Sequence, residues 1–150
     1  MGETRVDLQH LLEDLRDAYP GSIEETILTE IMANSLDSGA TKIIFATDPA
    51  ERTLTVLDNG SGMQRGELAR YHDIASSSKT RGEGIGFAGV GIKLGLLVCE
   101  EVLTETRRGK THVASSWYMS SRHRAPWKWV TPLGQITERG TAVRLTLQNA

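Results

Sequence analysis

Nine of the chain's 15 glycines fall between Gly60 and Gly95. A segment so rich in residues without a Cβ does not sustain a long helix or a central strand, because each glycine weakens either one. Regular structure is therefore built mainly from the flanks, with a loop-rich region between them. At 150 residues, the chain reads as one domain, residues 1–150, long enough to bury a substantial core. It reads equally as a whole protein or a piece of a longer one.

Before the glycines, Leu8, Leu11, Leu12 and Leu15 are spaced for a helix over Val6 to Ala18. Tyr19-Pro20-Gly21 stops it. Ser22 and Glu25 form a capping box for a second helix, which carries Ile23, Ile27, Leu28 and Ile31 toward a core and ends near Ser38-Gly39. Thr41 to Thr47 and Thr53 to Leu57 predict two strands joined by the turn Asp48 to Arg52. Beyond Gly60 come a short helix at Arg65 to Ile74 and a polar stretch, Ser76 to Gly84. A helix over Val90 to Val98 follows, then a hairpin of Glu101 to Arg107 and Thr111 to Met119 around a solvated Arg108-Gly109-Lys110 tip. Ser120 to Gln135 reads as irregular, and Thr141 to Leu147 as the last strand. The class is α+β, with helices on one face of a mostly antiparallel, mixed sheet.

The net charge of −2 exerts no global pull on nucleic acid or acidic membranes. A lone cysteine, Cys99, rules out an internal disulfide and suits a reducing, cytoplasmic compartment. Its expected place is the start of a strand, packed as a small apolar residue. No secretory signal pattern opens the chain. The longest apolar run, Gly84 to Val98, is broken by Lys93 and is too short to span a bilayer.

Three constellations carry chemistry. Glu30, Asn34 and Asp37, at i, i+4 and i+7, fall along one face of the second helix, where two carboxylates and an amide suit a metal ion and a water molecule. Asp58-Asn-Gly60-Ser-Gly62-Met63 sets a carboxylate at a strand end, followed by a backbone that a flat ligand can approach; read alone it is also an ordinary surface turn. Gly84-Ile-Gly86-Phe-Ala-Gly89-Val90-Gly91-Ile-Lys93 opens a helix on glycines, which exposes N–H groups to an anion. It fits the spacing of a dinucleotide fingerprint, but a polar loop precedes it instead of a strand, and no Gly-Lys-Ser/Thr of a Walker A loop is present.

Together these motifs resemble the GHKL superfamily, which includes DNA gyrase B, the ninety-kilodalton heat-shock chaperones, sensor histidine kinases and MutL. Glu30-x-x-x-Asn34-x-x-Asp37 is similar to its N-box, and Glu30 to Thr41 is especially similar to MutL-type sequences. Asp58-x-Gly60-x-Gly62 is similar to the adenine-binding motif. Gly86-x-x-Gly89-x-Gly91-x-Lys93 resembles the phosphate motif of type IIB topoisomerases and microrchidia ATPases, and Gly140-Thr141 the last motif. The four stand in family order from Glu30 to Thr141.

The resemblance implies a two-layer Bergerat sandwich that binds ATP with Mg²⁺ and hydrolyses it slowly as a conformational or dimerisation switch. It assigns Glu30 as the general base, Asn34 to Mg²⁺, and Asp37 to the water network or metal shell. Asp58 would take the adenine amino group, supported by Thr141, with Gly60, Gly62 and Met63 shaping that end. Gly86, Gly89, Val90, Gly91 and Lys93 would cradle phosphates, residues of about 60–89 would form the lid, and Lys79 would touch phosphate on closure. Expected partners are nucleotide, a second copy in the presence of ATP, and a downstream transducer domain or partner protein, with no membrane.

Two alternatives stand beside the ATPase. One is an ATP-binding module with negligible turnover when isolated, because hydrolysing members take a γ-phosphate lysine from the transducer domain. The other is the ATP domain of a sensor kinase, which needs a phosphoacceptor; His10 is the early candidate, and Glu30 favours hydrolysis over it. Arg122-His-Arg124-Ala-Pro-Trp127-Lys-Trp129 interleaves cations and aromatics as single-strand binders do, but with a net charge of −2 the favoured reading is an irregular loop whose tryptophans pack on the sheet or on a neighbouring domain.

Overall fold

A computed structural model describes Asp7, Gln9, His10, Glu13, residues 23–73 and residues 92–148. Most of the first predicted helix and the stretch from 74 to 91 lie outside the described residues. Helix α1 spans Ile23–Asp37 and buries Ile27 and Ile31, as its apolar spacing requires. It ends where Gly39 turns left-handed at φ 81. There Ala40 N–H reaches Ser35 O at 3.1 Å and Gly39 N–H reaches Leu36 O at 3.0 Å, the paired bonds of a Schellman cap.

Six strands follow: β1 Ile43–Asp48, β2 Thr53–Asp58, β3 Cys99–Arg108, β4 Thr111–Trp117, β5 Trp127–Val130 and β6 Gly140–Leu147. They form one sheet in the order β1-β2-β6-β3-β4-β5. Every pairing among these described strands is antiparallel, in keeping with the expected mostly antiparallel sheet and α+β class. The last strand slots between β2 and β3, which sets Thr141 directly opposite Asp58 on one side and Thr106 on the other. Val56, Val102, Trp117, Val143 and Leu145 project from one face and pack with Ile27 and Ile31 of α1, Leu94 and Leu96 into a single core.

Two expected elements differ. The helix expected over Val90 to Val98 is a 3-10 helix, Ile92–Leu97. Short 3-10 pieces are common connectors leading into a strand. Within the segment read as irregular, Trp127–Val130 is strand β5, pairing Trp117 with Trp127 and Ala114 with Val130. Four residues hold too little alternation to reveal a strand; the neighbouring β4 edge decides it. The short helix α2, Arg65–Tyr71, stops earlier than its expected limit at Ile74.

Trp127 and Trp129 share the helix-bearing face. Trp127 stacks on His72 (centroids 4.2 Å, planes 6° apart), and the Arg65 guanidinium lies 4.0 Å from the centroid of the Trp129 ring. These contacts engage the aromatics that the sequence offered for base stacking. His72 accepts from Ser115 Oγ through Nε2 at 2.8 Å and donates from Nδ1 to Ala69 O at 3.2 Å, because a carbonyl can only accept. On the opposite face Glu105, fully buried, receives the N–H groups of Leu133 (3.0 Å), Gln135 (3.4 Å) and Ile136 (3.2 Å), with His112 Nε2 at 2.8 Å. Burial alone would raise its carboxyl pKa, but His112 and the three amides hold it below the usual range. Glu105 thereby straps the β5–β6 connection across the sheet. Cys99 is buried at the start of β3, as expected, and burial pushes its thiol up to about 12.

Two predictions follow from this packing. Burial drives the His72 pKa from 6.5 down to about 4, and the residue is only 6% exposed. The unfolded chain therefore takes up a proton that the folded chain refuses between those values. Stability is full above about pH 6.5 and falls as pH drops toward 4, by roughly 3 kcal/mol in all. Urea unfolding at pH 7 and pH 4.5 should show this loss, and His72→Gln should flatten it. A titration with single-stranded oligonucleotide should show no salt-dependent binding, because Trp127 is already stacked on His72 and Trp129 is covered by Arg65; a strong salt slope would overturn that reading.

Candidate functional site

Asp58 ends β2 with its carboxylate held from several sides. Ser35 Oγ donates to Oδ2 at 2.8 Å, while Gly60 N–H (2.8 Å) and Thr141 N–H (3.3 Å) donate to Oδ1. The following turn is tied down as well, so it is no free surface loop. Asn59 Oδ1 takes the N–H groups of Thr41 at 2.8 Å and Lys42 at 3.0 Å, and Ser61 N–H reaches Ser38 O at 3.0 Å. Gly62 sits at φ 68 with its Cα against the Arg107 carbonyl, and Gly140 at φ 138 against the Asp58 carbonyl. A Cβ at either position would overlap that oxygen.

Below this turn Thr106 is a hub. Its hydroxyl accepts from Met63 N–H at 2.8 Å, lies 3.2 Å from Gly140 O, and meets Thr141 Oγ1 at 3.0 Å. Glu67 and Gln64 complete a capping box on α2, and the hairpin reaches them through Arg108 Nη1–Glu67 Oε1 (3.0 Å) and Thr111 Oγ1–Gln64 Oε1 (2.6 Å).

Between α1, the Asp58 turn, α2 and Lys93 lies a cavity of about 640 Å³. That is ample for a nucleotide-sized ligand. Of the residues expected at the site, Asn34, Asp37, Asp58, Gly62, Met63, Lys93 and Thr141 line it. Gly60 does not line it but supplies an N–H to Asp58. Glu30 is 5% exposed and stands behind the wall, one turn before Asn34. Burial holds the Lys93 ammonium below its usual range, opposed by the carboxylates of Asp73 and Glu30. Lys79, Gly86, Gly89, Val90 and Gly91 lie outside the described residues, as does most of the expected lid.

Sequence reasoning passed over Ser35, Glu67, Arg70 and Tyr71, all of which line the cavity. Glu67, Arg70 and Tyr71 stand at i, i+3 and i+4 of α2, a spacing that could have marked one helical face. Thr106 carried no local signal; only the register opposite Thr141 brings it in. Among the described residues no group of three or more His, Cys, Asp or Glu side chains could hold a metal alone.

A model of the histidine kinase-, DNA gyrase B- and HSP90-like ATPases matches residues 22–140. The chain belongs to this family. The chaperone HtpG of Rhodopseudomonas palustris (strain HaA2) is 30% identical over 97% of this chain and 25% of its own length. HtpG of Anaplasma phagocytophilum is 32% identical over 71% of the chain and 18% of its own length. A shorter match, 38% identical over 37% of the chain, is to the DNA mismatch repair protein MutL of Nostoc punctiforme, covering 10% of that protein. The chain thus spans about a quarter or less of these relatives. Membership of this ATPase family supports ATP binding, and among the described residues no helix is long and apolar enough to cross a membrane.

Thr106→Val removes the acceptor for Met63 N–H while keeping the side-chain shape. In this member of the family it should cost about 1–3 kcal/mol, read by urea unfolding. An unchanged midpoint would show that the hub contributes nothing.

Proposed function

We propose that this domain binds Mg-ATP in the cavity beside Asp58 and hydrolyses it slowly, using the nucleotide state to switch conformation or association. The observation that carries the reading is the Asp58 carboxylate, held in place by one hydroxyl and two backbone amides at the cavity wall. Such an acceptor suits an exocyclic amino group, and its fixed orientation avoids an ordering cost on binding. Gly62 and Met63 leave room for a flat base, and Thr141 steadies Asp58 from β6.

At the other end, Asn34 offers an amide oxygen to Mg²⁺, which would neutralise phosphate charge when bound. Asp37 stands at the cavity rim, suited to an outer water. Lys93 brings a cation, and Gly86, Gly89, Val90 and Gly91 precede it in the chain as a phosphate cradle. Lys79 is assigned to phosphate on lid closure, the lid being residues of about 60–89. Glu30 is assigned as the general base: it stands behind the wall one turn before Asn34, so the attacking water has to enter beside Asn34 to give its proton to this carboxylate. Its carboxylate type at this position favours hydrolysis over phosphotransfer to a histidine.

A second reading, binding with negligible turnover, rests on the cavity's cations. Among the described lining residues these are Lys93 and Arg70. A transducer domain or partner supplying a further lysine would then set the rate. The relatives are a chaperone and a mismatch repair protein, so the proposed larger role is a nucleotide-driven machine in which ATP promotes a homodimer.

Calorimetry and phosphate release test the roles separately. Glu30→Gln should keep ATP affinity within a few fold and lower turnover by roughly 10²–10⁴. Asp58→Ala should weaken binding at least about tenfold with the fold intact. Chelating Mg²⁺ should stop turnover. If the wild type binds ATP but releases no phosphate, the second reading holds; if it binds none, both fail.

A further inference from the structure

Strand β1 closes one side of the sheet, and among the described strands only β2 pairs with it. Residues 44–48 are exposed, with Ile44 46% and Phe45 47% open to solvent. Natural sheets usually blunt such an edge with a bulge, an internal proline or inward charge. β1 has unbroken register with β2, no proline within it, and its single charged residue at the end.

The hydrogen-bond phase shows which backbone groups face outward. Asn59 N–H donates to Lys42 O at 3.3 Å, so Lys42 faces β2. In an antiparallel ladder that direction alternates. Ile44, Ala46 and Asp48 therefore face β2 as well, whereas Ile43, Phe45 and Thr47 direct their N–H and C=O groups away from it, to an edge that no other described strand pairs with.

The strand is also self-complementary about Phe45. A second β1 running antiparallel across a two-fold axis sets Phe45 opposite Phe45, Ile43 opposite Thr47, and Ile44 opposite Ala46. Lys42 then faces Asp48 at both ends, an attractive pair each time. Moving the pairing by two residues spoils it. One direction sets Ile43 against Pro49, which has no N–H; the other sets Thr47 against Thr41, whose N–H already serves Asn59 Oδ1.

We propose that β1 is the docking edge for a second copy of this chain, joining two six-stranded sheets into one through the Phe45-centred register. No β1 residue lines the cavity, so the pairing is independent of nucleotide and of the proposed ATP site. A strand pair buries less than the roughly 1,000 Å² of a stable interface, so the dimer is reversible.

Sedimentation velocity of the 150-residue chain without nucleotide, across about a hundredfold range of protein concentration, should show conversion from monomer to dimer. Phe45→Glu places like charges opposite each other and should stay monomeric at every concentration, with an unchanged circular dichroism spectrum. Lys42→Glu alone and Asp48→Lys alone should each associate weakly. An equimolar mixture should recover the dimer, because both end pairs are again opposite in charge. Oxidation of Phe45→Cys should give a covalent dimer, since directly paired Cα atoms lie about 5.5 Å apart, within disulfide reach. Thr47→Cys, which faces Ile43, should not; buried Cys99 does not compete. A wild type that stays monomeric throughout, or a Phe45→Glu variant that still dimerises, overturns the proposal.

Discussion

The site depends on how the Asp58 carboxylate is held. Its donors come from three places far apart in the chain: Ser35 on α1, Gly60 in the turn after β2, and Thr141 at the start of β6. A partly buried carboxylate is costly unless its oxygens are satisfied. Those three elements can therefore take up their relation to one another only with the carboxylate between them. The same contacts hold the acceptor still while leaving the cavity side open, so what stabilises the fold also prepares the site.

Structure remote from the cavity supports this arrangement. β6 must slot between β2 and β3, and the connection from β5 reaches it by crossing the far face of the sheet. Glu105 secures that crossing by collecting three backbone N–H groups, that of Ile136 in a buried place. On the near face, His72 joins the end of α2 to β4 and β5 through a ring stack and a hydrogen bond to Ser115. α2 in turn presents Glu67, Arg70 and Tyr71 to the cavity. Both polar anchors are buried and titratable, so acid acts on the supports of the site.

Much of this was legible in the order of residues. Apolar spacing located α1, alternation located β1, β2 and β6, and the Arg108-Gly109-Lys110 tip located the β3–β4 hairpin. Short motifs named Asn34, Asp37, Asp58, Lys93 and Thr141, which line the cavity. What escaped was set by neighbours. Trp127–Val130 is a strand because β4 offers it an edge, and Ile92–Leu97 is a 3-10 connector leading into β3. Glu30 was expected in a row with Asn34 and Asp37, yet only the latter two line the cavity.

The sequence by itself determined the elements and the chemical types at the site, because periodicity, caps and short motifs act over a few residues. Only the tertiary structure decided the register that faces Thr106 with Thr141, the clamp that fixes Asp58, the strap on Glu105 and the burial of His72. It also decided which backbone groups β1 turns away from β2. These features pair residues tens of positions apart, and their energies exist only once the sheet has closed around them.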